Sequence, residues 1–178
     1  KVLDDASVVV AVSPLVQQEF QQMTQTPVEL ITNGFDECDY EIPACEDAST
    51  GSDHKCRHAA GGPDKDFVIT HTGLFAADGN PTTLWKVLAA KCTKDEEFRK
   101  HLRIRFVGKT DDAILEAVRE EGLDGHLTDM GYQPHAVAIR EQRQASLLIL
   151  PLRKEPEYKA VLPGKLFEYL ASWRPVLG

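Results

Sequence analysis

Short apolar runs and amphipathic stretches alternate along most of this chain. The apolar runs predict buried strands at 8–12, 28–31, 67–70, 104–107, 126–130, 146–150 and 175–177. Between them, apolar residues at helical spacing predict helices at 14–23, 95–101, 111–121, 135–143 and 165–172, with another that follows Asn80-Pro81. This order is typical of right-handed βαβ units. We therefore expect an α/β fold with a Rossmann-like, doubly wound parallel sheet from residue 67 onward, preceded by a short strand-helix-strand segment.

Residues that commonly begin or end helices define the boundaries of these elements more closely. Ser13 and Pro14 are typical of a helix N-cap and first turn, Asn80-Pro81 of another helix start, and Gly122 of a helix stop. Asn33-Gly34 is a strong turn dipeptide. The helix residues expected to face a core are Leu84, Trp85, Val87 and Leu88, then Ile114, Leu115 and Val118, then Leu166, Phe167 and Leu170.

The stretch from 36 to 66 breaks the alternation. Acidic residues, Pro, Gly, Ser and His dominate it, and no apolar period survives. About thirty residues without periodicity exceed an ordinary connection inside a compact domain. We therefore predict an N-terminal segment at 1–42, a polar linker or insertion at 43–66, and a sheet domain at 67–178 that is truncated at its C-terminus.

Composition and charge narrow the class of protein. The 178 residues are 42% hydrophobic, and 28 acidic against 20 basic residues give a net charge of −8. This is a globular profile without the basic stripe that a nucleic-acid binder needs, so we expect no nucleic acid partner. No run approaches the roughly 20 apolar residues of a membrane-spanning helix. Because the chain begins without Met and stops within a predicted strand, we expect it to be a fragment.

Four cysteines raise the question of metal or disulfide chemistry. They are Cys38, Cys45, Cys56 and Cys92. The first three share a polar stretch with His54 and His58, but their spacings of seven and eleven positions do not match the paired knuckles of a zinc site. Free thiols in a reducing compartment are the default expectation, and a disulfide and a metal site stay open as alternatives.

Three glycines stand where predicted strands end. Ligands of an open parallel sheet bind at the carboxyl ends of the strands. The loops there are 71–74 with Gly73, 108–110 with Gly108, and 130–132 with Gly131. Glycine lets a ligand approach the backbone closely, although each of the three could equally serve a tight turn. The chain has neither G-x-G-x-x-G nor G-x-x-x-x-G-K-[ST], which counts against a nicotinamide-dependent oxidoreductase and a P-loop enzyme.

The segment 163–175 holds a second candidate site. Gly164 and Lys165 begin a predicted helix, where backbone N–H groups, the helix dipole and an ammonium suit an anion such as diphosphate. Glu168 lies three positions later, on a neighbouring part of the helix surface, and can accept hydrogen bonds from a vicinal diol such as ribose. On spacing alone, a surface Lys–Glu helix pair is the simpler interpretation.

Short motifs follow one another along the chain. They are VAVS at 10–13, ITNGFD at 31–36, FVG at 106–108, GY at 131–132 with His135, SLLILP at 146–151, and KLFEYLAS at 165–172 with RPV at 174–176. In this order the chain resembles the retaining GT-B glycosyltransferases of the group 1 type, family 4 among the carbohydrate-active enzymes. The last motif is the most specific. The resemblance spans nearly the whole chain and implies the C-terminal domain of a GT-B fold, preceded at 1–42 by the end of the N-terminal, acceptor-binding domain or by an interdomain segment.

The resemblance also implies an activity. A hexose would pass from a nucleotide-diphosphate-sugar to a glycan or lipid-linked acceptor with retention of configuration, without a metal or other cofactor. The implied donor-binding residues are Gly73, Gly108, Lys109, Gly131, Tyr132, Gly164, Lys165, Leu166 and Glu168. Among them Glu168 would bind the ribose, Lys165 and Gly73 would lie near the diphosphate, and the loops at 108–109 and 131–132 would frame the base. Lys165 and Glu168 are donor-site candidates, and no residue is assigned as catalytic.

Other polar residues receive structural roles. Asp111-Asp112 is interpreted as a helix N-cap rather than a metal-binding pair. We interpret His71, His126 and His135 as structural or loop residues rather than general bases.

Two positions depart from the family pattern. Ala160 stands where the family has the first acid of its Glu-seven-residues-Glu motif, with Glu155 and Glu157 nearby, and the loop 71–74 lacks the family's Arg. The acceptor would bind the missing N-terminal domain, so the fragment alone should bind donor and turn over little. The expected location is cytoplasmic, with peripheral association at the inner membrane open only to the full-length protein. The alternative is a non-catalytic Rossmann-like module that binds a nucleotide or a partner.

Overall fold

The computed structural model describes residues 1–40, 66–152 and 162–178. In chain order the strands are β1 (Val9–Ala11), β2 (Val28–Leu30), β3 (Phe67–Thr72), β4 (Leu102–Val107), β5 (Leu127–Asp129), β6 (Leu147–Ile149) and β7 (Val176–Leu177). The helices are α1 (Pro14–Met23), α2 (Thr82–Lys94), α3 (Glu96–His101), α4 (Asp112–Glu120), α5 (His135–Gln144) and α6 (Gly164–Ala171). Short 3-10 turns lie at Glu37–Asp39, Ala77–Gly79 and Asp124–His126.

The chain divides into two compact units. The smaller one combines Lys1–Phe35 with Leu152–Ala171, and the larger one combines Asp36–Pro151 with Ser172–Gly178. Each unit has a parallel sheet of its own, made of β1 and β2 in the smaller unit and of the other five strands in the larger. The predicted linker at 43–66 falls almost wholly outside the described residues, so the predicted domain boundaries stay predictions.

The five-stranded sheet has the order β5-β4-β3-β6-β7, and each neighbouring pair is parallel. From β3 the chain moves outward through β4 to β5, and then returns to the other side of β3 for β6 and β7. The sheet order therefore reverses between β3 and β6, which is where doubly wound folds bind their ligands. The predicted α/β fold with a Rossmann-like parallel sheet is confirmed.

One face of this sheet packs against α2 and α4. Alternate residues of β4, namely Leu102, Ile104 and Phe106, are fully buried there. Their neighbours in this core include Ile69, Trp85, Leu88, Ile114, Leu115 and Val118. Burying one such side chain stabilises a fold by roughly 1.5–3 kcal/mol, so this cluster is a main source of the unit's stability.

The opposite face is more polar and is covered by α5. The Gln142 amide donates a hydrogen bond of 3.0 Å to the Thr72 hydroxyl, and both residues are buried. Arg105 Nη1 lies 2.8 Å from Oε2 of Glu141, whose side chain is only 7% exposed. A nearly buried carboxylate needs such a partner, because an unpaired charge there would be costly. These polar contacts fix α5 over β3 and β4.

The smaller unit begins with a strand-helix-strand segment, as predicted. In it β1 and β2 pair in parallel, with Val9 opposite Val28. The Ser13 hydroxyl accepts a hydrogen bond of 3.3 Å from the Val16 N–H, and Pro14 is the first residue of α1, which confirms the predicted cap. The same unit contains α6, and the Asn33 carboxamide donates to the Leu162 carbonyl over 3.3 Å.

Two loop predictions are wrong. His71 and Thr72 do not belong to a loop but extend β3, because they pair with Phe106 and Val107 of β4 and are buried. The turn predicted at Asn33-Gly34 is absent: residues 31–36 are irregular and Gly34 has no left-handed φ. There the Asn33 side chain bonds to Leu162, a residue distant in sequence, instead of closing a local turn.

Other corrections concern the helices. Val87 is 58% exposed, because the buried stripe of α2 runs through Trp85, Leu88 and Cys92 at helical spacing. Asn80 does not cap α2. Its side-chain oxygen accepts the Trp85 indole N–H over 2.8 Å instead.

The apolar face predicted for α6 is also displaced. Leu170 is 58% exposed, whereas Leu166 and Phe167 are half-buried. The fully buried residue of this helix is Tyr169. By contrast, the inward residues predicted for α4 and its stop at Gly122, where φ is +73°, are confirmed.

The described cysteines are free thiols, Cys38 exposed and Cys92 buried. Burial raises the pKa of the Cys92 thiol, which favours its neutral form. The disulfide and the metal site stay open as predictions, because the structure does not describe Cys45, His54, Cys56 and His58.

Candidate functional site

Three loops meet at the carboxyl edge of the larger sheet. They follow β3, β4 and β5 and contain Gly73, Gly108 and Gly131. The Gly73 N–H donates to the Val107 carbonyl over 2.6 Å, and the Gly108 N–H donates to the Gly131 carbonyl over 2.8 Å. These bonds join the three loops through their backbones rather than through side chains.

A second layer of backbone bonds extends this connection. Phe75 forms a parallel bridge with Thr110, its N–H donates to the Lys109 carbonyl, and its carbonyl accepts from the Asp111 N–H, both bonds at 2.9 Å. The Asp111 side chain also caps α4 by accepting from the Ala113 N–H over 3.0 Å. The predicted interpretation of Asp111 as a helix cap is confirmed, and the loop before α4 is held in place at both ends.

Packing between two loops requires a glycine at position 108. A Cβ at this position would lie 2.4 Å from the Gly73 carbonyl oxygen, and the φ of Gly108 is +132°. No L side chain fits that conformation and that contact, so the backbone that approaches Gly108 closely is that of Gly73. Gly131 differs: its φ is +60°, and a Cβ there would meet nothing within 4 Å.

Side chains at this edge offer polar and aromatic groups. Lys109 is exposed and, within the part of the chain that the structure describes, its ammonium forms no ion pair. Tyr132 is 89% exposed beside Gly131. The Thr110 hydroxyl is buried and lacks a hydrogen-bond partner among the described residues. The edge therefore carries a cation, an exposed phenol ring and an unsatisfied hydroxyl on a fixed backbone.

His71 is a buried residue at the same edge, and the sequence pattern gave no signal for its contacts. It is the fifth residue of β3 and is 2% exposed. Its Nδ1 lies 3.0 Å from the Ile149 carbonyl oxygen on β6, and its Nε2 lies 3.2 Å from the Leu74 carbonyl oxygen. The ring therefore spans the position where the sheet order reverses.

The remaining candidates lie on α6 in the smaller unit. Gly164 begins this helix, and a Cβ there would meet nothing within 4 Å. Lys165 and Glu168 are half-buried. Burial lowers the pKa of the Lys165 ammonium, and the negative charge of Glu168 partly opposes that shift. A desolvated ammonium at a helix start gains more from a bound anion than an exposed one would.

The predicted donor-binding residues thus fall into two sets. Gly73, Gly108, Lys109, Gly131 and Tyr132 belong to the larger unit, where backbone bonds bring the glycines together. The residues on α6, namely Gly164, Lys165, Leu166 and Glu168, belong to the smaller unit. The positions that depart from the family pattern, Ala160, Glu155 and Glu157, lie outside the described residues.

Among residues 1–40, 66–152 and 162–178, no three His, Cys, Asp or Glu side chains are grouped so that they could hold a metal ion. In the same ranges, every helix is too short or too polar to cross a membrane.

Solved structures of glycosyltransferases are similar to this chain. No family model and no curated protein matches the sequence. HepE of Anabaena, solved with UDP and glucose, matches with a TM-score of 0.62 and 16% identity, over 96% of this chain and 44% of HepE. WaaG, a glycosyltransferase involved in lipopolysaccharide biosynthesis, matches with a TM-score of 0.61 and 13% identity, over 94% and 42% of the two chains. The pneumococcal O-GlcNAc transferase GtfA, solved with UDP and GlcNAc, matches with a TM-score of 0.56 and 14% identity, over 96% and 29%.

At these identities the similarity concerns the fold alone. The chain spans less than half the length of the three neighbours. The similarity agrees with the α/β fold and the five-stranded, Rossmann-like parallel sheet described here.

Proposed function

We propose that this chain is the donor-binding part of a retaining glycosyltransferase, which transfers a sugar from a nucleotide-diphosphate-sugar to a glycan or lipid-linked acceptor. The observation that carries the proposal is the joined set of three glycine loops at the carboxyl edge of the sheet, next to the point where the sheet order reverses. The fold similarity to glycosyltransferases, two of them solved with UDP, makes a nucleoside diphosphate the ligand class to test.

The sheet edge offers groups that suit a nucleotide. Lys109 is an exposed cation without an ion-pair partner among the described residues, so a phosphate would not need to displace an existing carboxylate. The exposed ring of Tyr132 and the open space at Gly131 provide an uncharged surface for a base. The fixed loop backbones limit the conformational entropy lost on binding.

α6 supplies the other groups that the proposal uses. Its N-terminal N–H groups and Lys165 suit the diphosphate, because the helix dipole and the ammonium are both positive there. The Glu168 carboxylate can accept hydrogen bonds from both hydroxyls of a ribose. We assign Lys165 and Glu168 to donor binding on this basis.

The transfer step would depend on charge stabilisation. As the bond between the sugar and the diphosphate breaks, negative charge accumulates on the leaving diphosphate. Lys165 and the helix N-terminus are the groups of α6 suited to stabilise that charge. We therefore assign no step to a metal, and we assign acceptor binding to a part of the protein outside this chain.

A thermal-shift titration tests the donor-binding role. The 178-residue chain is titrated with UDP, GDP, ADP, CMP and NADH up to millimolar concentration. We expect one nucleoside diphosphate to raise the melting temperature, since a ligand at about 100 times its dissociation constant stabilises by roughly 2.7 kcal/mol. A shift with NADH alone would favour an oxidoreductase, and no shift with any nucleotide would contradict donor binding by this chain.

Matched variants then locate the site. Lys109→Ala, Lys165→Ala and Glu168→Ala should each weaken nucleotide binding by about tenfold or more, since charged hydrogen bonds contribute about 1.5–3 kcal/mol. Lys94→Ala is the control, because Lys94 is an exposed lysine at the last residue of α2. If Lys109→Ala and Lys165→Ala bind the nucleotide as well as Lys94→Ala does, the site assignment is wrong.

Catalysis is separated from simple binding in the full-length protein. Incubation with donor sugar and a glycan acceptor, followed by NMR analysis of the anomeric configuration of the product, tests transfer and retention together. Nucleotide binding without any transfer would favour the alternative, a Rossmann-like binding module.

A further inference from the structure

His71 has a hydrogen-bond acceptor at each of its ring nitrogens. Both acceptors are backbone carbonyl oxygens, that of Ile149 at 3.0 Å from Nδ1 and that of Leu74 at 3.2 Å from Nε2. A carbonyl oxygen cannot donate, so each nitrogen satisfies its neighbour only when it carries a hydrogen. Both nitrogens carry hydrogens only in the imidazolium form.

An aromatic ring adds to this environment. The centroids of the His71 and Phe75 rings lie 4.2 Å apart, and the planes are tilted by 37°. A cation within about 6 Å of an aromatic face is attracted by the ring quadrupole. Burial by itself favours a neutral imidazole, whereas two charge-assisted hydrogen bonds and this ring favour the charged one. Each of these three contacts stabilises a positive charge.

The position of His71 brings a positive charge close to the loop that contains Gly73. The ring connects β6 with the loop that follows β3, and that loop is itself bonded to β4 through Gly73 and Val107. The charge therefore lies two residues before Gly73, on a side chain that is only 2% exposed to water. Around such a side chain the effective dielectric constant is lower than in water, so a charge acts over several ångströms.

From this geometry we infer that His71 is a buried imidazolium that holds the loop after β3 against β6 and attracts a diphosphate to the glycine loops. The identity of the anion rests on the proposed function. His71 is a positioning residue in this inference and not a general base, because both ring nitrogens are already hydrogen-bonded to carbonyl oxygens and neither can take up a proton.

NMR of the unmodified chain tests the charge directly. Histidine side chains are labelled with ¹⁵N, and the His71 signals are assigned by their loss in His71→Gln. At neutral pH we expect both His71 nitrogens to carry a hydrogen and both N–H protons to exchange slowly with water. A neutral ring, with one nitrogen lacking a hydrogen, would overturn the inference. This measurement is made on the wild-type protein, so it does not depend on the folding of a variant beyond the assignment.

Binding measurements test the action on the diphosphate. His71→Gln keeps a hydrogen-bond donor but removes the charge. Calorimetry should show an affinity for the nucleoside diphosphate lowered by about tenfold, with the affinity for the matching nucleoside unchanged. His126→Gln is the control, because the Nδ1 of His126 faces a single carbonyl, that of Leu102 at 3.2 Å, at the amino end of β4. An equal loss for diphosphate and nucleoside would indicate a purely structural role and overturn the inference.

Different results contradict donor binding by the chain and the charge of His71. If the wild-type chain binds no nucleotide, the proposed function fails, and inorganic diphosphate becomes the probe for the anion. Inorganic diphosphate that binds wild type more tightly than His71→Gln would then support the inference, and absence of any difference would overturn it. Melting temperatures of all variants identify a loss that comes from unfolding.

Discussion

The sheet edge and the start of α6 are candidate binding regions that are built in different ways. At the sheet edge, backbone hydrogen bonds between the loops of Gly73, Gly108 and Gly131 define the shape. On α6, the chemistry lies in two half-buried side chains, Lys165 and Glu168. Burial lowers the pKa of Lys165, so the folded protein holds this ammonium at a cost in free energy. The first region depends on the same contacts that stabilise the fold, whereas the second opposes stability.

Because of this difference, substitutions in the two regions should affect stability and binding differently. A change that disturbs the loop backbones at the sheet edge alters folding before it alters binding, because the loops also hold each other in place. A change on α6 can alter binding while stability is kept or increased.

The largest effect is expected for Gly108→Ala. The added Cβ would lie 2.4 Å from the Gly73 carbonyl oxygen, and the φ of +132° is strained for any L side chain. Backbone strain and overpacking each cost about 1–3 kcal/mol, so we expect the free energy of unfolding to fall by about 3 kcal/mol or more. Urea denaturation followed by circular dichroism measures this loss.

Gly131→Ala is the matched control. Its φ of +60° is also left-handed, but a Cβ there would meet nothing within 4 Å. We expect a loss of about 1 kcal/mol from the backbone conformation alone. Equal losses in the two variants would show that packing between the loops does not determine the stability of this edge.

The two glycines also show how far the sequence could predict this region. The strand-loop-helix pattern was enough to place Gly73, Gly108 and Gly131 at strand ends, because the apolar runs mark where each strand stops. The reason for Gly108 could not be predicted, since it depends on the Gly73 backbone, 35 positions away in sequence. The incorrect prediction of a loop at His71 has a similar reason: the pairing of His71 with Phe106 on β4 is not visible in a local pattern.

For α6 the structure tests only the predicted packing, and the anion and diol site stays a prediction. The residue types of Lys165 and Glu168 suit an anion and a diol, although on spacing alone a surface Lys–Glu helix pair is the simpler interpretation. The prediction that Leu170 faces inward is wrong, and Tyr169 is the buried residue. A helix of eight residues makes too few turns for its apolar periodicity to identify the buried side.

A moderate effect is expected for Lys165→Met, with opposite signs for binding and stability. Removal of the ammonium should weaken nucleoside diphosphate binding by about tenfold or more. The same change should raise the melting temperature at neutral pH, because it removes a charge that folding partly buries. Thermal unfolding and calorimetry of one protein preparation measure both. A variant that loses stability would contradict the idea that α6 opposes folding. Lys94→Met serves as the exposed control.

The pH dependence of diphosphate affinity and of stability provides a second test of the Lys165 charge. Lys165 has a pKa below its ordinary value of 10.5. Its positive charge disappears as the pH rises through that lowered pKa, so diphosphate affinity should fall there. The unfolded chain binds more protons in the window between the lowered pKa and 10.5, so this residue makes stability rise with pH in that window. Calorimetry in alkaline buffers should show this loss of affinity in wild type and not in Lys165→Met.

The smallest effect is expected just after α6, where a left-handed position is occupied by a bulky residue. Trp173 has a φ of +56° and is 76% exposed, at a place where helices commonly end in glycine. Trp173→Gly should raise the free energy of unfolding by about 0.5–1 kcal/mol, because relief of backbone strain exceeds the added entropy of the unfolded chain. Trp173→Ala removes the same ring but keeps the strain, so it should not stabilise. Urea denaturation measures the free energy of unfolding of both variants. If both lose stability equally, the contacts of the Trp173 side chain contribute more than the strain of its backbone. The unfavourable free energy near α6 then comes from Lys165 alone.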